Sequence, residues 1–435
     1  MMLYLAVAIF IIVMIVVAFE LVDKAIAALS GAVIFVIIGV LPHEKAIKSV
    51  DFETILLLMG MMMLVEASKR SGIFSWLNVR VAKITRGNPF LLLVLFLGVT
   101  ALLSAFLDNV TTVLLIVPVT LALTKGMGLK PAIYVIAEVI FSNIGGSLTL
   151  IGDPPNILIG SASGLSFNDF ILNLIIPISI VSVAVLTMIA VVHWKEIKPV
   201  HADLEKLFVS NLLIRKINYQ FLNTNLDKVF IIKTLVILGL VFIGFMTHSL
   251  THLSVDIIAV FFALVFLIIG RKNLSIHHIL KEVEWTTLLF FAGLFVMVGG
   301  LKEVGFLELI SSFILSLTDN FSLILLIILW VSALVSSFLD NIPFVAVMIP
   351  VIVNLQTSFS GNPHLDLLWW SLSLGACLGG NGTIIGASAN VVAVDLARKE
   401  GVNISFLDFM KVGFPVLIIS MIICSLYLLV RSDFF

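Results

Sequence analysis

The chain has 435 residues, of which 61% are hydrophobic and only 12% charged, against roughly 25% charged in an ordinary soluble protein. That deficit excludes a cytosolic enzyme, a disordered chain and a nucleic-acid binder, because no basic surface exists to neutralise phosphates. It predicts an all-α integral membrane protein. With 25 Lys and Arg against 26 Asp and Glu, the placement of charge carries more information than its sum, and two cysteines, Cys377 and Cys424, are too few for a disulfide framework.

The first apolar run, 3–20, has no basic segment before it and no small-residue cleavage site after it, so it reads as a retained helix. A crossing needs roughly 20 apolar residues. Further crossings are expected at 25–41, 53–68, 132–160, 170–193, 229–247, 255–270, 285–300, 367–396 and 411–430, making ten. Two more apolar stretches, 89–124 and 321–355, are too short for two crossings with a loop, and Asp-Asn interrupts each in mid-run. They read as re-entrant helical hairpins, whose turn is tolerated at membrane depth only where protein or a water-filled cavity satisfies the backbone. Alternating the loops puts 21 Lys and Arg on one face and leaves Lys45, Lys48, Lys302 and Arg431 on the other. The positive-inside rule makes the first face cytoplasmic and places both termini outside a cell inner (plasma) membrane. The mixed-charge segment 198–228 reads as a cytoplasmic linker between two halves, 1–197 and 229–435.

The halves repeat. SAFLDNVTTVLLIVP (104–118) matches SSFLDNIPFVAVMIP (336–350) at seven of fifteen positions, including Asp108/Asp340 and Asn109/Asn341. NIGGSLTLIGDPPN (143–156) matches CLGGNGTIIGASAN (377–390) at Gly145/Gly379, Gly146/Gly380, Thr149/Thr383, Gly152/Gly386 and Asn156/Asn390, and LSFNDF (165–170) matches ISFLDF (404–409). Each half holds five spans and one hairpin, and an odd number of spans inserts the second copy upside down. Inverted repeats belong to alternating-access transporters, with sites at the midplane where discontinuous helices meet. Gly145-Gly146 to Pro154-Pro155, and Gly379-Gly380 to Asn390, are the expected discontinuities.

On these paired motifs the sequence resembles the ion transporter superfamily, in the branch of arsenical pump (ArsB) permeases, NhaD-type sodium/proton antiporters and the pink-eyed dilution P protein. The resemblance implies ten crossings with two opposed hairpins and a substrate site between the hairpin tips and the broken helices. By position, the substrate-binding candidates are Asn109, Thr111, Thr112, Asn143, Thr149, Asn156, Asn341, Asn381, Thr383 and Asn390. It also leaves room for a homodimer or an associated cytoplasmic ATPase subunit. The sequence departs from dicarboxylate-transporting relatives, whose tips are similar to Ser-Asn-Thr, because here Asp precedes Asn in both tips.

A carboxylate near the bilayer centre costs several kcal/mol unless paired, protonated or hydrated. Asp108, Asp340 and Glu138 are therefore the candidate proton carriers, and Asp153 is placed to cap the helix beyond the first break. The lining is otherwise amide and hydroxyl, with no Lys or Arg in any motif, which disfavours a polyanion and favours a small neutral oxyacid such as arsenous acid. Capture of arsenic by three thiolates is excluded, as Cys377 is alone at a motif. A sodium ion on backbone carbonyls is the other coupling ion the breaks would suit; no further cofactor is expected. Histidines sit at span ends, and nothing at membrane depth activates the SASGLS serines, which argues against an enzyme. The expectation is a proton-coupled efflux carrier for arsenite and antimonite, with a sodium/proton antiporter, a citrate or dicarboxylate carrier and a passive anion channel as alternatives.

Overall fold

The computed structural model describes residues 1–19, 21–85, 87–197 and 227–434. Most of the predicted linker, 198–226, lies outside the described residues. Among those described, every regular element is helical.

The first half runs α1 (Met2–Ala18), α2 (Lys24–Ile37), a short α3 (His43–Ser49), α4 (Phe52–Arg70), α5 (Ile73–Thr85), the arms α6 (Pro89–Ser104) and α7 (Asn109–Gly126), α8 (Pro131–Gly146), α9 (Pro154–Ser163), α10 (Phe167–Val192) and the short α11 (Trp194–Ile197). The second runs α12 (Lys228–Thr251), α13 (Val255–Ile269), α14 (Ile276–Glu282), α15 (Trp285–Glu303), α16 (Phe306–Leu317), the arms α17 (Phe321–Ser336) and α18 (Asn341–Ser358), α19 (Leu367–Gly379), α20 (Ser388–Lys399) and α21 (Phe406–Phe434). A helix or a broken helix occupies each of the ten stretches predicted as spans, and a helix–turn–helix occupies each predicted hairpin.

Six helices, α7, α10, α12, α15, α18 and α21, are long and apolar enough by length and composition to cross a membrane, and several shorter apolar helices accompany them. Two of the six are hairpin arms, which the sequence reading did not treat as crossings. Burial grades the six: 61% of α7, 56% of α15 and 50% of α18 are buried inside the protein, against 28% of the most apolar stretch of α10 and of α12. The hairpin arm is thus an interior element, whereas α10 and α12 leave most of their surface for lipid.

The same local devices start corresponding helices in both halves. Asn88 accepts from Leu91 N at 3.1 Å to begin α6, and Asn320 accepts from Leu323 N at 3.1 Å to begin α17. The LSFNDF/ISFLDF match is a helix start, since Ser166 and Asp169 form a capping box on α10, and Ser405 Oγ receives Asp408 N at 3.1 Å before α21. Gly72 and Gly305, at φ +77° and +78°, make the left-handed turns that lead into α5 and α16. Those two helices were missed in the sequence. They are 13 and 12 residues long, too short for a span, and α5 carries Arg80 and Lys83.

Packing crosses between the halves. α6 lies along α8 and α17 along α19, while α2 packs on α15 and α13 on α4. The far arm of each broken helix packs on the other half's hairpin, α20 against α7 and α9 against α18. This exchange brings both hairpin turns to both breaks.

Candidate functional site

The site starts from four places where backbone hydrogen bonding is interrupted: the hairpin turns 105–108 and 337–340, and the breaks 147–153 and 380–387. In the turns, Asp108 Oδ1 accepts from Thr111 N at 2.8 Å, and Asp340 Oδ1 from Ile342 N at 3.2 Å, so each acid caps the arm that follows. The breaks are tied to the turns by threonines: Thr149 Oγ1 donates to the Ala105 carbonyl, and Thr383 Oγ1 to the Ser337 carbonyl at 2.5 Å.

Asparagines close each break from within. Asn156 Nδ2 donates to the Ser147 and Thr149 carbonyls at 3.1 and 2.9 Å, and Asn390 Nδ2 to the Gly380 and Thr383 carbonyls at 2.7 and 2.8 Å. These are the orphan carbonyls a broken helix exposes. Pro154 and Pro155 restart α9 where no N–H is needed. The glycines are there for close approach. A Cβ on Gly145 would overlap the Ala101 backbone, one on Gly146 would strike Asn109, and one on Gly379 would come within 2.6 Å of the Ala333 carbonyl. Gly380 is the least crowded of the four, at 3.1 Å from the Gly386 carbonyl.

Amide side chains then join the halves. Asn109 Oδ1 accepts from Ser104, Asn109 Nδ2 donates to Asn143 Oδ1 at 3.3 Å, and Asn143 Nδ2 donates to both Asn381 Oδ1 and Asn390 Oδ1 at 3.0 Å. On the other side Asn156 Oδ1 accepts from Ser373 at 2.7 Å and faces the Cys377 thiol at 3.5 Å. Asn341 Nδ2 reaches Asp153 Oδ2 at 3.5 Å. Two buried polar atoms in this region, Thr112 Oγ1 and Asn381 Nδ2, have no hydrogen-bond partner among the described residues.

Beside this cluster lies a cavity of about 100 Å³ whose polar wall is Asp108, Asn109, Asp153, Asp340, Asn341 and Ser388, with Lys24, Glu284 and Thr287 completing it. Of the ten predicted substrate-binding residues, Asn109 and Asn341 face the cavity. Thr111, Thr112, Asn143, Thr149, Asn156, Asn381, Thr383 and Asn390 are outside its lining, and the four asparagines and two threonines bonded above brace it from behind. Of the predicted proton carriers, Asp108 and Asp340 line the cavity half-buried. Glu138 does not line it; it is buried between α7 and α8, where one oxygen accepts from Thr120 and the other has no partner among the described residues.

Asp153 differs from its expected role. It precedes α9 but its carboxylate caps no N–H, and instead lies buried in the cavity wall next to Asn341, Asn109 and Cys377. Pro155 at the second position of α9 has no N–H, and the N–H of Asn156 at the third goes to the Asp153 backbone carbonyl at 2.9 Å, which leaves the carboxylate free to face the cavity. Lys24 and Glu284 were missed altogether, as both lie at helix starts far from any motif. The lining is therefore acidic with one cation rather than neutral.

A second cavity, of about 210 Å³, is lined by Glu53, Thr54, Ser161, His248 and Ser254 among others, and Ile157 borders both cavities. The two spaces thus share a wall residue on α9.

Comparison with known proteins sets the chain among membrane transporters. A membrane protein of 46 kDa from Mycobacterium leprae is 39% identical over 98% of both chains, and a Mycobacterium tuberculosis protein described as an uncharacterized transporter is 38% identical over 98% of both. The human P protein is 36% identical over 95% of this chain, which spans 58% of that longer protein. The structure of the Alcanivorax borkumensis YdaH transporter shares the fold, with a TM-score of 0.58 over 88% of this chain and 86% of that one, at 13% identity. The similarity to the P protein expected from the motifs holds; the arsenical pump branch is not the family matched. The sequence profile described as citrate transporter (CitMHS) matches residues 13–375, and the chain belongs to that family of membrane transporters.

Proposed function

We propose that the chain is a proton-coupled secondary transporter working by alternating access, with substrate held in the cavity between the hairpin turns and the helix breaks. The observation that carries this reading is the amide chain Asn109–Asn143–Asn381/Asn390, which ties both halves together beside three aspartates in one cavity. The matched hydrogen bonds of Thr149 and Thr383, and of Asn156 and Asn390, support reading 1–197 and 229–435 as inverted repeats of five spans and a hairpin. A carrier needs a barrier on one side of its site, and the layer around Ile157 between the two cavities is suited to that.

The family's description makes citrate the first substrate to test. A trianion here meets four carboxylates (Asp108, Asp153, Asp340 and Glu284) and one lysine, so it must travel with its charge offset by protons or bound cations. The same acidic wall favours a second reading, sodium/proton exchange, in which a hard cation sits among these oxygens. Arsenous acid, neutral and hydrogen-bonded by Asn109 and Asn341, needs no charge offset and is the third arm of the test. Proteoliposomes holding the purified chain are offered labelled citrate, sodium and arsenite side by side under an imposed pH gradient. Citrate is expected to accumulate above its equilibrium level, and a protonophore to abolish that. Citrate moving only down its own gradient indicates a channel; sodium accumulation without citrate flux selects the antiporter, and arsenite accumulation the efflux reading.

The charge bias orients the chain with both termini outside. A cysteine at exposed Glu44 should react with an impermeant thiol reagent on sealed cells, and one at exposed Lys272 only after permeabilisation. The native Cys377 and Cys424 are buried and give little background. The reverse labelling pattern would overturn the orientation.

A further inference from the structure

We infer that Lys24 is a specificity-determining residue that engages a carboxylate of the transported anion in the cavity. The inference rests on the citrate reading above and assigns a residue to it. Among the described residues Lys24 is the only cationic side chain in the cavity wall, and it shares that wall with Asp108, Asp153, Asp340 and Glu284. Among the described residues it forms no ion pair; its ammonium lies 5.8 Å from the centre of the Phe290 ring, a cation–π contact that positions the charge without consuming its hydrogen-bond donors.

Its place in the helix also needs a reason. Lys24 is the first residue of α2, directly after the Asp23 cap, and the start of a helix is the unfavourable end for a cation. A lysine that merely snorkelled would carry its ammonium outward to the headgroups, whereas this one lines the cavity. The acids in the same wall supply the favourable field, and an anion in the cavity finds the ammonium protons of Lys24 as well as the amides of Asn109 and Asn341. A neutral solute or a bare cation gains nothing from that group.

A lysine that only balanced the acidic wall would affect every substrate alike, so the test compares charges on the substrate. Citrate and succinate uptake are measured against concentration in proteoliposomes holding the full chain, with Lys24→Met, which keeps an unbranched side chain without the charge, and Lys24→Arg, which keeps the charge. Lys24→Met is expected to raise the citrate KM at least tenfold with kcat within about twofold, to raise the succinate KM less, and Lys24→Arg to stay within about threefold of the natural chain. If the Met variant aggregates on extraction, Lys24→Gln gives the same reading. An unchanged citrate KM in the uncharged variants, or an equal rise for both substrates, overturns the inference while leaving citrate transport standing. A natural chain that moves no citrate overturns the substrate reading and the inference with it.

Discussion

Asn143→Ala is expected to lower transport at least a hundredfold while the protein still inserts and extracts as a single species. Asn143 bonds both to Asn109, at the start of the first hairpin's second arm, and to Asn381 and Asn390, in and just beyond the second break. Removing its amide strips a partner from three buried amides at once, each loss costing about 1–3 kcal/mol in desolvated surroundings. The helices themselves keep their backbone bonds, because Asn390 still closes its break through Gly380 and Thr383. What is lost is the registration of Asn109, which faces the cavity, against the opposite half. Asn143→Asp, which keeps the acceptor for Asn109 but removes the donor to Asn381 and Asn390, should be nearly as inactive. Uptake near the natural level in either variant would show that the amide chain is not needed to assemble the site.

Asp153→Asn is expected to abolish proton-driven accumulation while substrate exchange at equal concentrations survives within about tenfold. Asp108 and Asp340 each spend an oxygen on a backbone N–H, and Asn fills that capping role about as well as Asp. Their Asn variants should therefore weaken binding more than coupling. Asp153 accepts no capping bond and is buried in the wall against the side chains of Asn341, Asn109 and Cys377, with no ion-pair partner among the described residues, so its charge is balanced by whatever proton or cation enters the cavity. Counterflow and pH-jump uptake in proteoliposomes separate the two effects. If Asp340→Asn loses accumulation and Asp153→Asn keeps it, the carrier is the hairpin acid that the motif alone points to; if both keep it, Glu138 beside Thr120 is the next residue to replace.

How far the sequence reaches depends on the range of the force that places each residue. The bilayer imposes a length on every crossing, so apolar runs are legible one at a time, and a helix or broken helix lies in each predicted stretch. The hairpin turns and breaks were legible because backbone chemistry demands particular residues there: Asp to cap an arm, Gly where Ala101 and Ala333 press close, Asn and Thr for the orphan carbonyls. The helices α5 and α16 escaped because neither bilayer length nor a strong cap marks them.

Tertiary structure decided the rest. Which motif residues face the cavity and which stand behind it, Asn109 and Asn341 against Asn143, Asn156 and Asn390, follows from α20 packing on α7 and α9 on α18, contacts between opposite halves of the chain. Membrane depth grouped Glu138 with the tip acids, but its place on α8 sets it against Thr120. Lys24 and Glu284 carry no local signature, since a charge at a helix start looks the same whether it meets water or a cavity. They enter the wall of the acidic cavity when α2 and α15 pack together. Local backbone chemistry thus wrote the motifs into the sequence, while the electrostatic character of the site was set by side chains that only folding brings within Coulombic reach of one another.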